Sequence, residues 1–170
     1  GLISVSIGSL WWGILGVFYF KHFSYIGHIE LVVHRCLWTS LMLFFTTSYF
    51  SKWYLFFKVI KNLKNLFLLF ITGILIFLNW SIWLYAVSTN QIIDASFGYF
   101  IMPILSVLFG YIFFNEPINK RIFCSILLVI IPISFLLFQF NSIPWVGLVV
   151  AISWSSYNLL RKIINIDTDI

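Results

Sequence analysis

The chain holds 170 residues, of which 62% are hydrophobic and only 9% charged, with a net charge of +5. A soluble domain carries roughly a quarter charged residues to clothe its surface, so this composition excludes a water-soluble globule and points to lipid as the solvent. Nucleic acid is not expected as a partner despite the positive charge, because the basic residues lie in short segments between apolar runs and form no basic face.

About twenty apolar residues cross the hydrocarbon core as a helix. Such runs fall at 2–20, 28–50, 66–88, 95–115, 122–140 and 144–163. They are long and continuously apolar, with no ten-residue alternation, so helices are expected and a barrel is not. The reading is an all-α, polytopic transmembrane helix bundle of about six spans. Pro103 and Pro132 lie inside spans, where neighbouring helices re-satisfy the freed carbonyl and a kink is expected. Cys36 and Cys124 each sit in an apolar run without metal-ligand spacing and read as small packing residues. No cleavable signal pattern opens the sequence. It begins at Gly1 and ends directly after a span, so a piece of a longer protein is expected.

The connections set the orientation. Lys52, Lys58, Lys61 and Lys64 fill the second connection, Lys120 and Arg121 follow the fourth span, and Arg161 and Lys162 close the sixth. The alternate connections carry Lys21, Asp94 and no charge at all. By the positive-inside rule the amino terminus and the 51–65 segment are cytoplasmic. That segment also interleaves Phe56, Phe57, Val59, Ile60 and Leu63 with its lysines. It reads either as a helix lying on the headgroups or as an ordinary basic loop.

Function in a membrane protein is sought among polar groups inside the spans, where they are costly unless they find partners or line a cavity. The second span carries Glu30, His34 and Trp38 on one face, with Arg35 turned away from them. Arg35 can pair with Glu30, snorkel to headgroups, or hold the carboxylate or phosphate of a substrate. His34 can relay protons or simply pack. In the third span Asn79 is expected first to bond across helices and second to line a cavity. Trp80 and Trp83 can wall a site, although Trp83 lies close enough to the interface to be an anchor. In the fourth span Ser96, Tyr99, Pro103, Ser106 and Gly110 share a face that suits either a cavity wall or a close helix seam. No HExxH or GxSxG motif and no paired carboxylates are present, so nothing asks for an enzyme, a metal or a cofactor.

The stretches Trp12-Gly13, Tyr19-Phe20-Lys21, His34-Arg35-Cys36-Leu37-Trp38, Asn79-Trp80, Ala95-Ser96-Phe97-Gly98-Tyr99-Phe100-Ile101-Met102-Pro103 and Asn115-Glu116 occur in this order. Together they resemble RarD-type permeases of the EamA branch of the drug/metabolite transporter superfamily. Met102 departs from the Asn common before that proline, and Asn115 from the usual Gly before Glu116. The resemblance implies a ten-helix transporter of two inverted five-helix repeats, with residues 1–140 the first repeat and 141–170 the first helix of the second. It also implies a bacterial inner-membrane permease working by alternating access on a small metabolite or amphiphile. The candidate substrate-binding residues are Trp12, His34, Arg35, Trp38, Asn79, Trp80, Ser96 and Tyr99. The expected partners are the substrate and the bilayer, and a homodimer is compatible with this reading. The rival reading from another class is a membrane scaffold or sensor whose polar residues serve helix packing alone.

Overall fold

A computed structural model of the chain describes residues 2–23, 25–139 and 143–164. Among these residues all regular structure is helical, as the apolar runs require. Helix α1 (Leu2–Leu10) passes through a π-helical turn (Trp11–Gly16) into α2 (Val17–His22). Helices α3 (His28–Tyr49), α5 (Leu63–Ser88), α6 (Ile92–Phe114) and α7 (Lys120–Gln139) follow as long spans, with the short α4 (Trp53–Ile60) between α3 and α5. Helix α8 (Trp145–Ile164) closes the described chain. Neither Pro103 nor Pro132 ends its helix.

Asparagines punctuate the elements. Asn62 accepts the Lys64 and Asn65 amides at the start of α5, satisfying donors that the first helical turn leaves unpaired. Asn119 does the same for Ile122 at the start of α7. Asn115 ends α6 in the left-handed region (φ 52°), the conformation a glycine usually supplies and that asparagine tolerates best among the other residues. The substitution at this turn therefore keeps its geometry. The segment rich in lysines holds a true helix, α4, which packs against α5 and leaves Tyr54, Phe57, Lys58 and Lys61 exposed.

Among the described residues, five helical segments are long and apolar enough to cross a membrane: Ile3–His22, His28–Tyr49, Leu63–Ser88, Ile92–Phe114 and Lys120–Phe138. The sixth expected span is helical from Trp145 onward, but it carries a polar stripe, and its position explains why. Helix α8 is wedged between α5 and α6. Its buried residues form two neighbouring rows, Val146, Val150 and Ser153 beside Gly147, Ala151 and Ser155, each at helical spacing. The first row meets α5, where the Asn79 side-chain amide donates to the Val150 carbonyl and to Ser153 Oγ, both at 3.0 Å. The second row meets α6, where Ser155 Oγ donates to the Met102 carbonyl at 3.4 Å.

The α6–α8 crossing is close because Gly98 faces Gly147. A Cβ at Gly98 would collide with the Gly147 carbonyl, and a Cβ at Gly147 would collide with the Asp94 carbonyl. The rest of the core, Val32, Trp83, Leu84, Ala86, Val87, Ala95 and Val146, lies at the end of the bundle where α5 hands over to α6. Outside this centre, long apolar side chains of α1, α3 and α7 stand exposed, as lipid-facing surfaces do; Cys36 and Cys124 are exposed among them.

The antiparallel connections gather Lys52, Lys58, Lys61, Lys64, Lys120, Arg121, Arg161 and Lys162 at one end of the bundle. At that end Lys162 Nζ forms an ion pair with Glu116 and stands 4.3 Å from the Phe114 ring centroid. At the opposite end, Tyr85 packs between His28, edge to face at 5.6 Å, and Trp145, tilted at 6.0 Å between ring centroids. Aromatic rings at this level suit the headgroup region.

Candidate functional site

Four helices converge on one cavity of about 310 Å³, lined by Arg35, Asn79, Trp80, Trp83, Tyr99 and Trp154. Each residue arrives by helical arithmetic. Arg35 stands seven residues into α3 and Tyr99 seven residues into α6, and both helices start at the same end. At 1.5 Å per residue, both lie about 10 Å in from that end. Trp154 stands nine residues into α8, and Asn79 nine residues before the end of α5, so they lie somewhat deeper. The cavity is thus within the span, on the side away from the basic end.

Asn79 is held rigidly by its two bonds to α8, so it both ties that helix and forms part of the wall. Trp80 and Trp83 pack edge to face (5.7 Å, 66°), and Phe20 of α2 braces Trp83 from behind (5.6 Å, 83°). Trp83 is 5% exposed, which makes it a wall residue of this bundle and no interfacial anchor.

Arg35 Cζ lies 3.2 Å from the Trp80 ring centroid. An edge-on guanidinium at that distance would drive its N–H hydrogens into the ring, so the two planes must be stacked. Among the described residues no carboxylate comes within ion-pair distance of Arg35. Glu30, its nearest acidic candidate in sequence, instead approaches His34 Nε2 at 3.9 Å, with both side chains more than half exposed.

The structure therefore brings together four of the sequence-derived candidates, Arg35, Asn79, Trp80 and Tyr99, and adds Trp83 and Trp154. His34 and Trp38 lie on an exposed face of α3, outside the lining. Ser96 also lies outside it and donates to the Ile92 carbonyl of its own helix at 2.8 Å. Trp12 belongs to the π-helical turn, and its side chain lies outside the described residues. A smaller cavity of about 140 Å³ lies between α6 and α8 at the basic end, beside Glu116 and Lys162.

Comparison with known proteins decides the family. Residues 1–138 match the EamA-like transporter family. The chain belongs to that family. This EamA-family chain is 32% identical over 166 residues to an uncharacterized transporter of Vibrio cholerae, covering 98% of the chain and 54% of the relative. It is 31% identical over 156 residues to the protein RarD of Salmonella typhi, covering 92% and 53%. It is 30% identical over 156 residues to the protein RarD of Escherichia coli, covering 92% and 52%. The chain thus spans about half the length of the curated relatives it matches. No solved structure matches it. Fold and family together make this a multi-pass helical membrane protein of the EamA-like transporter family.

Proposed function

We propose that this EamA-family chain is the first five-helix repeat (1–140) and the opening helix of the second (141–170) of an inner-membrane permease. The permease moves a small metabolite or amphiphile by alternating access, with the amino terminus in the cytoplasm. One observation carries the reading: a cavity at membrane depth holds a guanidinium with no carboxylate partner among the described residues, walled by aromatic rings from three helices. A cation at this depth of a membrane costs free energy unless something answers it, and a bound solute is such a partner. Helix α8 supplies Trp154 to this wall, which fits a site formed between two repeats.

The test is flux across a metabolite panel in proteoliposomes of the full-length protein. At least one solute should be carried by the wild type and lost on Arg35→Gln, with membrane expression unchanged. The scaffold reading draws on Asn79, Gly98 and Gly147, all of which serve packing. It predicts no flux for any solute and no ligand-induced shift in melting temperature, and that result would sink the transport reading.

A further inference from the structure

Resting on the reading of this cavity as the transport site, we infer that its substrate class is a small aromatic carboxylate. The argument starts from the stacked pair. With one face of the Arg35 guanidinium covered by Trp80, the N–H donors left to a ligand lie in the guanidinium plane. A carboxylate meets such a fork edge to edge, through two parallel charge-assisted hydrogen bonds. The anion is then held level with the guanidinium and its body projects parallel to the tryptophan ring.

The walls fix what that body is. Trp83, Tyr99 and Trp154 supply aromatic rings, and the polar groups besides Arg35 are neutral: the Tyr99 hydroxyl, the indole N–H groups and Asn79, whose amide N–H group is spent on α8. A phosphate is tetrahedral and carries more charge than a carboxylate, and this lining offers it a single cationic side chain, Arg35. Cationic solutes suit an aromatic wall in isolation, but here Arg35 repels them.

The experiment is calorimetric titration of the purified full-length protein with three matched probes. Phenylacetate has both ring and charge, cyclohexylacetate keeps the charge without the π system, and phenylacetamide keeps the ring without the charge. Phenylacetate should bind at least about tenfold more tightly than either of the others. Arg35→Gln should erase the preference over phenylacetamide, and Trp154→Leu the preference over cyclohexylacetate. Should Arg35→Gln fail to fold, Arg35→Lys tests the proposal through the fork instead, because it keeps the charge but loses the planar, bidentate geometry. It should weaken phenylacetate about tenfold and leave phenylacetamide unchanged. Equal binding of phenylacetate and either relative overturns the proposal, as does no phenylacetate binding by folded protein that still carries other solutes. Phenylacetate binding without flux of any solute refutes transport and sustains the assignment of the ligand class.

Discussion

Arg35 and Trp80 act as one unit, because the ring fixes the guanidinium that would otherwise reach for headgroups or for Glu30. Replacing Trp80 by leucine should therefore free Arg35 and reduce solute flux about as strongly as Arg35→Gln, tenfold or more, with the melting temperature changed little. Flux assays and melting curves on the same preparations would separate the two effects. Asn79 behaves differently, since its amide ties α5 to α8. Asn79→Leu should cost about 1 kcal/mol of stability, the scale of an interhelical hydrogen bond in lipid, visible in a melting curve before any transport is measured. Both residues stand out in the sequence because a charge and an amide inside apolar runs are conspicuous. Trp154 does not stand out, since a tryptophan in a membrane helix is ordinary until its neighbours are known. His34 and Trp38 share spacing with a functional-looking face, but periodicity cannot tell a face turned to lipid from one turned to a cavity.

Among the helices, α8 shows how packing overrides local composition. Its run of Ser153, Ser155, Ser156 and Asn158 makes it less apolar than the other spans, yet two of these serines are buried, Ser153 against the Asn79 side chain and Ser155 against the Met102 backbone. The stripe itself is legible in the sequence; which helices would meet it is not, because helix pairing leaves no period in a single chain. The glycine seam makes a sharp prediction at this scale. Gly98→Ala or Gly147→Ala should cost about 1–3 kcal/mol, since the added methyl meets backbone and cannot be accommodated by a rotamer change. Gly73→Ala is the control: its Cβ meets open space, so stability should be unchanged or raised by about 1 kcal/mol. At the end of α6, Asn115→Val should destabilise by about 1–2 kcal/mol because a β-branched residue resists the left-handed region, whereas Asn115→Gly should be neutral. Thermal melts of the detergent-solubilised protein would rank all five variants. Both ends of the Glu116–Lys162 pair are half exposed, so breaking it should cost no more than about 1 kcal/mol.

For the whole molecule, the bundle has one lysine- and arginine-rich end and one end ringed by aromatics, and the proposed orientation places the basic end in the cytoplasm. On a background with Cys36 and Cys124 replaced, a cysteine at Asn90 should react with a membrane-impermeant maleimide added outside cells. A cysteine at Lys58 should react only after the membrane is opened; the reverse pattern would invert the topology. The helical spans and the clustering of basic residues follow directly from run length and charge, which is why so much of the architecture could be read beforehand. The π-helical turn at Trp11–Gly16 had no counterpart in the apolar pattern, since one extra residue per turn leaves composition untouched.

The wedge of α8 also bears on how the protein is made. During synthesis α5 and α6 enter the membrane first, joined by a three-residue turn, and α7 follows before α8 exists. Until α8 arrives, the Asn79 amide and the bare backbone at Gly98 lack the partners that α8 later gives them. The α5–α6 hairpin is therefore an unfinished cleft held open in lipid. The polar stripe that makes α8 a poor span on its own gives it a ready place to insert, so the least apolar helix is recruited by the groove awaiting it.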